Sequence, residues 1–246
     1  MKRTLVISDI HGELDLLEEL LIEVGYDPKV DQLILLGDYI DRGPDSKGVL
    51  EKVIALKKEG AIVLRGNHEE MMIKALTTDE EKAWKHWTDR NGGKQTLESY
   101  GFSEDVFIVK DDDFVKPTLQ SSTLNEHLQF IQSLDYYFEW DDTIFVHAGV
   151  HPSKPIDETD PHELVWIRDV FHNGYCGEKT VIFGHTPTKN LHNDKCNNGV
   201  YYGENRIIGI DGAAVYGGQL NCLQYPENRT FSIKAKNNAE ELITTR

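Results

Sequence analysis

Cysteine is scarce in this chain: its 246 residues include three, at Cys176, Cys196 and Cys222. They are odd in number and widely spaced, and no Cys-x-x-Cys pair occurs. Neither a disulfide framework nor a thiolate metal site is therefore predicted. We expect three reduced thiols in a cytoplasmic protein.

Long apolar runs are also missing. No stretch reaches the roughly 18 apolar residues that a membrane-spanning helix requires, so no membrane span is expected. The first apolar run, residues 4–7, is too short for the core of a signal peptide, and Asp9 interrupts it. We interpret this run as the first core strand. With 39% hydrophobic and 28% charged residues, the composition is that of a globular protein with a sizeable core.

Positive charge is in deficit. The 26 lysines and arginines are outnumbered by 42 acidic residues, which gives a formal net charge of −16. Such a charge repels nucleic acid backbones and anionic membranes, so neither is expected as a partner. A phosphorylated substrate would also be repelled, unless bound metal ions reverse the local field at the site. The acidic surface is compatible with a soluble monomer, which we favour.

The first seventy residues alternate strand and helix signals. Short apolar runs predict strands at residues 4–7, 33–36 and 61–64, and helical spacing of apolar residues predicts helices over 13–24 and 46–58. This βαβαβ order is typical of parallel strands with right-handed crossovers. In such sheets ligands bind beyond the carboxyl ends of the strands.

The middle of the chain has a different character. Residues 69–76 predict a helix, and the polar, mostly helical segment of about 77–135 is interpreted as a lid inserted in a single domain of residues 1–246. Within it, Trp84 and Trp87 are expected to pack the lid, and the acidic run 111–113 is expected to form a solvated turn.

The second half is rich in strand signals. We predict strands at 143–146, 180–183, 206–210 and 219–225, a helix over 162–171, and a polar tail from residue 234. The pair Gly217-Gly218 predicts a hairpin turn. Together these signals indicate an α/β chain whose second sheet is largely antiparallel.

Chemistry-bearing residues are concentrated in five short motifs, nearly all of which follow apolar, β-branched runs. In chain order the motifs are Ser8-Asp9-Ile10-His11-Gly12, Gly37-Asp38-Tyr39-Ile40-Asp41-Arg42-Gly43-Pro44, Arg65-Gly66-Asn67-His68-Glu69, His147-Ala148-Gly149 and Gly184-His185-Thr186. Any one of them could consist of turn and cap residues. All five in order instead predict a shared site at the strand ends.

The motifs supply ligands for two metal ions. Asp9 and His11, two residues apart at an extended strand end, face the same side and can chelate one ion. Asp38 has two oxygens and can bridge to a second ion. The ligands of that second ion would be completed by Asn67, His147 and His185.

The ligand set constrains both the charge and the identity of the metals. It mixes oxygen with imidazole and has no thiolate, which suits manganese, iron or zinc better than copper(I) or calcium. Two divalent ions bring four positive charges, of which Asp9 and Asp38 cancel two. The remaining positive charge would attract a phosphate dianion. We favour manganese, with iron or zinc as alternatives.

These motifs resemble those of the calcineurin-like metallophosphoesterases, in particular the phosphoprotein phosphatase branch. The resemblance runs from about residue 5 to 225. It is greatest for small bacterial and phage-type protein phosphatases and for the symmetrical diadenosine tetraphosphatases. One departure is Ser8, where the family has glycine. The resemblance implies a β-sandwich of two mixed sheets flanked by helices, with two metal ions at one edge.

The resemblance also implies roles for individual residues. Asp9, His11 and Asp38 match the ligands of the first metal, and Asp38, Asn67, His147 and His185 match those of the second. His68 matches a proton donor to the leaving group that Asp41 orients. Arg42 matches a phosphate-binding arginine, and Trp166-Ile167-Arg168 resembles a segment that carries another. Asn67 is also placed at the substrate phosphate. The segment of Asp211 resembles one near the site, where we expect that residue to shape a turn.

The leading interpretation is a hydrolase of phosphate monoesters that works by attack of a metal-bound hydroxide, most simply a protein serine/threonine phosphatase. The alternative is a symmetrical bis(5'-nucleosyl)-tetraphosphatase, which would need the same metals plus room for adenine and a longer phosphate chain. A third hypothesis is a scaffold protein that has lost catalysis, which the complete ligand set disfavours.

Overall fold

The computed structural model describes residues 3–107 and 114–235. The acidic run 111–113 and the tail beyond residue 235 lie outside the described residues, so the expectations for them stay predictions. No helix in the described ranges combines the length and the apolar character needed to cross a bilayer.

One mixed sheet contains the βαβαβ unit predicted for the first seventy residues. Its strand order is β10-β9-β1-β2-β3, with β1 (Arg3–Ile7), β2 (Asp31–Leu35), β3 (Ile62–Val63), β9 (Gln219–Tyr225) and β10 (Arg229–Lys234). β1, β2 and β3 pair in parallel, with Val6 opposite Ile34, whereas β9 pairs antiparallel with both β1 and β10. The crossovers are made by α1 (Leu14–Glu23) and α2 (Ser46–Lys58).

The second sheet is mixed rather than largely antiparallel, so that prediction is wrong. Its order is β4-β5-β6-β8-β7, with β4 (Tyr137–Trp140), β5 (Thr143–Val146), β6 (Thr180–Phe183), β7 (Tyr201–Tyr202) and β8 (Ile207–Gly209). β5, β6 and β8 are parallel neighbours, and β4 and β7 lie antiparallel at the edges. The connection from β5 to β6 passes through helices, and such a crossover joins parallel strands.

The turn at Gly217-Gly218 is not a hairpin within one sheet. It follows a short 3-10 turn (Ala214–Tyr216) and leads from β8 in one sheet to β9 in the other. The glycine pair therefore lies in a connection between the two sheets, and the hairpin prediction is wrong.

The two sheets pack face to face because both faces of their central strands are apolar. Val6 and Ile34 point to the interior between the sheets, where they meet residues of the second sheet such as Phe145, Ile182 and Ile208. Their neighbours Leu5 and Leu33 point outward onto α1 and α2. Full burial of each such side chain contributes about 1.5–3 kcal/mol. The result is a four-layer α/β sandwich of two mixed sheets flanked by helices.

Helices fill the long connection between β3 and β4. They are α3 (Asn67–Thr77), α4 (Glu81–Arg90), α5 (Gly93–Ser99), α6 (Glu104–Phe107) and α7 (Ser122–Gln132). Trp84 and Trp87 of α4 are buried and join the core cluster on the outer face of the first sheet.

The helix predicted over residues 162–171 is in fact two helices, α8 (Pro161–Trp166) and α9 (Asp169–Gly174). Ile167 is extended, and Arg168 has φ −135° and ψ −110°, outside the helical region. The second helix starts directly after the break, where the Arg168 carbonyl accepts hydrogen bonds from the N–H groups of Phe171 and His172 in the first turn of α9.

Candidate active site

Strand ends from both sheets bring the five motifs together. Asp9 follows β1, Asp38 follows β2, Asn67 begins α3 just after β3, His147 follows β5 and His185 follows β6. These carboxyl ends meet at one edge of the sandwich, around a cleft of about 190 Å³. Its lining includes eight of the ten predicted site residues: Asp9, His11, Asp38, Arg42, Asn67, His68, Arg168 and His185. The other two, Asp41 and His147, lie directly behind it and contact His68 and Asn67.

The backbone at the site has an unusual conformation. Six site residues occupy the left-handed region, with φ between 48° and 73°: Asp9, His11, Asp38, Asp41, Arg42 and His185. Non-glycine residues in this region carry a cost of about 1–3 kcal/mol each when bulky, and they concentrate at functional sites. The sharp turns after the strands direct these side chains, and all of them except Asp41 line the cleft. The extended strand end predicted for Asp9 and His11 is therefore wrong, because both residues are left-handed.

A buried carboxylate that the sequence analysis left without a role ties two motif loops together. The two oxygens of Glu69 accept hydrogen bonds from the backbone N–H groups of Asp38, Tyr39 and Gly66, each at 2.9 Å. In return the Asp38 carboxylate accepts from the N–H of His68 at 3.0 Å. The loops after β2 and β3 are therefore held in one fixed arrangement.

Hydrogen bonds fix which nitrogen two histidines present to the site. His11 Nδ1 lies 2.8 Å from the carbonyl of Ile40, and His147 Nδ1 lies 3.0 Å from that of Leu36. Each Nδ1–H must donate to its carbonyl, which leaves Nε2 unprotonated in the neutral ring. Burial lowers the pKa of His147 to about 3, so this ring is neutral near pH 7.

The donor set fits divalent cations. The unprotonated Nε2 of His147 lies 2.9 Å from Asn67 Oδ1, so two lone pairs face each other, and a cation would relieve that repulsion. The buried Nε2 of His185 has no hydrogen-bond partner among the described residues. Two groups of potential ligand atoms converge here and share Asp38: one with His11 and His68, the other with His147 and His185.

Electrostatics at the carboxylates favour a cation as well. Burial raises the pKa of Asp9 well above its usual range, and the negative charge of the neighbouring Asp211 raises it further. Burial and the charges of Asp9 and Glu69 do the same to the pKa of Asp38. Anions gathered in a dry site are unstable without compensating positive charge, and bound metal ions supply such charge.

Asp9 belongs to neither of the two ligand groups. It accepts hydrogen bonds from the Ser8 hydroxyl at 2.6 Å and from the His185 N–H at 2.9 Å. Ser8, which departs from the family pattern, thus holds the carboxylate of its neighbour, and the first and last motifs are joined through the same group. No sequence signal predicted this contact.

A buried histidine–aspartate pair adjoins the cleft. His68 Nδ1 lies 2.6 Å from Asp41 Oδ2, and both side chains are inaccessible to solvent. The other ring nitrogen, Nε2, is buried and has no hydrogen-bond partner among the described residues. Asp41 also accepts from the Trp87 indole and the Thr96 hydroxyl, neither of which the sequence analysis connected with the site.

Two arginines line the cleft. Arg42 Nη1 lies 2.8 Å from His11 Nε2 and the guanidinium lies over the Tyr216 ring, 5.3 Å from its centroid. Arg168 reaches the cleft from the break between α8 and α9 and donates to the Thr186 hydroxyl at 3.2 Å. A guanidinium can bind phosphate oxygens through two parallel hydrogen bonds.

Asp211 lies at the same edge, after β8, and lines the cleft. Its carboxylate accepts from the N–H of Ala213 at 2.8 Å, so it shapes a backbone turn as predicted. Burial raises the pKa of Asp211 to about 6, and the hydrogen bond to Ala213 opposes this shift. The charge of this group adds to the crowding of anions around Asp9.

Comparison with known proteins agrees with this geometry. A family model for calcineurin-like phosphoesterases matches residues 2–210. Serine/threonine-protein phosphatase 1 of Salmonella typhimurium is 31% identical over 225 residues, which cover 87% of this chain and 88% of the relative. An asymmetrical bis(5'-nucleosyl)-tetraphosphatase of Oceanobacillus iheyensis is 24% identical over 258 residues, covering 94% and 92%.

A solved structure described as a putative diadenosine tetraphosphatase shares the fold, with a TM-score of 0.67 and 23% identity over 96% of this chain and 95% of its own. The family model covers residues 2–210, which is most of the chain, and the fold of two mixed sheets flanked by helices is shared with that solved structure. The chain therefore belongs to the calcineurin-like phosphoesterase family.

Proposed function

We propose that this protein is a dinuclear metal-dependent phosphatase that hydrolyses phosphate monoesters, and that its substrates are proteins phosphorylated on serine or threonine. The main support for this proposal is the small number of positively charged side chains that line the cleft. Among the described residues that line it, the arginine and lysine side chains are Arg42 and Arg168. Two guanidinium groups suit the oxygens of one phosphate group.

A polyphosphate chain would need more positive charge than the cleft offers. The segment of residues 77–135 contains lysines that could have supplied it, but acidic partners engage several of them. Lys85 pairs with Glu81 at 2.6 Å and Lys94 pairs with Asp89 at 3.0 Å. Lys116 donates to two backbone carbonyls, at residues 76 and 78. These contacts favour a monoester substrate.

The metal ligands in this proposal are those predicted from the motifs. Asp9, His11 and Asp38 would hold one ion, and Asp38, Asn67, His147 and His185 would hold the other, with manganese as the favoured metal. When bound, the ions would supply Lewis acidity at the phosphate and activation of the attacking water.

The remaining steps belong to the side chains of this protein. Arg42, Arg168 and the Asn67 amide would bind the non-bridging oxygens of the phosphate and stabilise the charge that develops on them. His68 would donate a proton from Nε2 to the departing alkoxide oxygen while Asp41 holds its Nδ1–H. We also propose that the segment of about residues 77–135 is a lid within a single domain and that it borders the entrance for the substrate.

A second candidate is the symmetrical bis(5'-nucleosyl)-tetraphosphatase. The relative that matches nearly the full chain is named an asymmetrical bis(5'-nucleosyl)-tetraphosphatase, which favours a dinucleoside tetraphosphate as substrate but not its symmetrical cleavage. The metal ligands and the histidine–aspartate pair would serve both reactions, so these residues do not separate the two candidates.

The test is a side-by-side assay of the purified protein with manganese. We expect kcat/KM for a phosphoserine peptide to exceed that for diadenosine tetraphosphate by at least about tenfold. The variant Arg168→Ala should lower kcat/KM for the peptide by about 10- to 100-fold, because a hydrogen bond to a charged group contributes about 1.5–3 kcal/mol. Arg229→Ala is the matched control, since Arg229 lies over the Phe231 ring on edge strand β10. A clear preference for the dinucleotide would overturn the choice of substrate.

A further inference from the structure

The carboxylate of Asp41 is surrounded by donors from a distant part of the chain. The Trp87 indole Nε1–H lies 3.0 Å from Oδ1 and 3.1 Å from Oδ2. The Thr96 hydroxyl donates to Oδ1 at 2.6 Å and accepts from the Asp41 N–H at 3.0 Å. These side chains are 46 and 55 residues beyond Asp41, on α4 and α5. The motif loop after β2 is thus completed by the segment between β3 and β4.

The two donors leave Asp41 a single arrangement relative to His68. Trp87 faces both oxygens from one side, and Thr96 engages Oδ1, so Oδ2 remains directed at His68 Nδ1, 2.6 Å away. The indole itself is fixed, because Gly93 packs against it so closely that a Cβ there would lie 2.6 Å from Cδ2. Rotation of the carboxylate would break at least one of these hydrogen bonds in a fully buried site.

The donors also favour the charged form of the carboxylate. Burial raises the pKa of Asp41, and the hydrogen bonds from Thr96 and Trp87 lower it, toward the charged carboxylate. A buried carboxylate that accepts several hydrogen bonds is a better acceptor for an imidazole N–H than one that carries a proton itself. Without these donors, Asp41 would hold His68 less firmly in the tautomer and orientation that present Nε2 to the cleft.

We propose that Trp87 and Thr96 are positioning residues for proton donation to the leaving group, acting through Asp41 on His68. The inference rests on the proposed phosphomonoesterase activity and assigns to the inserted helices a part in the chemical step. Neither residue touches the substrate phosphate in this scheme, so their effect should depend on how much the leaving group needs a proton.

The experiment compares two small monoesters that differ in this need, phenyl phosphate and the activated p-nitrophenyl phosphate, with the manganese-loaded full chain. Trp87→Phe and Thr96→Val should each lower kcat for phenyl phosphate about tenfold or more, because general acid catalysis contributes about 10²–10⁴. For p-nitrophenyl phosphate, kcat should change by less than about threefold, with KM unchanged for both esters. In a His68→Asn background, Trp87→Phe should add less than about a twofold loss on phenyl phosphate.

Trp84→Phe is the matched control. Trp84 lies on the same helix, is equally buried and packs edge-on against Trp87 with ring centroids 6.1 Å apart, but its indole is not among the donors to Asp41. We expect the Trp84 variant to affect both esters equally. Equal losses on both esters in Trp87→Phe and Thr96→Val, or a loss from Trp87→Phe that adds fully to that of His68→Asn, would overturn the inference. If Trp87→Phe fails to fold, Thr96→Val alone decides the same question. Failure of the wild-type chain to hydrolyse either ester would instead overturn the proposed function, and this inference with it.

Discussion

A methyl group at Gly37 should disturb the site more than the same methyl group at Gly60. Both glycines have φ +107°, so an alanine at either position meets the same backbone strain, about 1–2 kcal/mol. They differ in their surroundings. A Cβ at Gly60 has no heavy atom within 4 Å, whereas a Cβ at Gly37 would lie 2.4 Å from the backbone nitrogen of Gly66 and 2.6 Å from its Cα.

The clash at Gly37 involves the backbone of a neighbouring loop, which cannot move aside as a side chain can. An ordinary contact needs at least about 3.4 Å, so the loops after β2 and β3 must separate by about 1 Å. Overpacking of this kind costs about 1–3 kcal/mol. We therefore expect Gly37→Ala to lower the free energy of unfolding by about 2–5 kcal/mol in total, against about 1–2 kcal/mol for Gly60→Ala.

The same displacement should also lower catalytic activity and manganese affinity, because these two loops carry Asp38 and Asn67. A misplacement of about 1 Å can lower the rate about 100-fold even when the chemistry is untouched. Urea unfolding of metal-free protein measures the stability difference, and manganese titration together with turnover of p-nitrophenyl phosphate measures the effect on the site. If Gly37→Ala and Gly60→Ala were equal in unfolding free energy and in manganese affinity, the proposed contact between the loops would be refuted.

Three further predictions concern single side chains. His68→Asn should lower kcat for a phosphoserine peptide by about 100-fold or more, but lower kcat for p-nitrophenyl phosphate much less, and equal losses would argue against a proton-donating role. Asp38→Asn should lower manganese content from about two ions per chain to less than one, measured by elemental analysis, because Asp38 is shared by both groups of ligand atoms; unchanged content would remove it as the bridge. Thiol labelling of the folded protein at pH 8 should modify the exposed Cys176 and Cys196 but not Cys222, whose pKa burial raises to about 12. Because a raised pKa lowers the thiolate fraction at pH 8 by about a thousandfold, the Cys222 rate should increase about tenfold for each unit of pH, and rapid labelling of all three would contradict its burial.

The elements that the sequence predicted correctly are those whose signals are local. The helix α2 has the predicted bounds because Asp45 caps its first turn and Val49, Leu50 and Val53 form an apolar stripe toward the sheet. Strand β5 was equally well defined by its apolar run. The order of the motifs at strand ends then followed from the parallel arrangement of β1, β2 and β3.

The features that escaped the sequence analysis depend on contacts between distant residues. Nothing near residue 87 indicates that its indole donates to Asp41, because the partners are 46 positions apart and meet only through the packing of α4. The break at Arg168 is likewise invisible in the helical spacing around it, and it brings that side chain to Thr186. Left-handed backbone at Asp9 and His185 is set by the turns that the packed strands impose.

The proposed metal ligands and the groups that orient His68 come from different kinds of element in the chain. The carboxylates and imidazoles proposed as metal ligands lie at ends of strands or directly after them, where two packed sheets fix their spacing. The donors to Asp41, by contrast, come from helices in the connection between β3 and β4. Asn91 of the same connection lines the cleft, so a change there can alter both the cleft and the orientation of His68 while the ligand atoms stay in place. Substrate preference and dependence on the leaving group should therefore change together when residues of α4 and α5 are exchanged, whereas metal content should not.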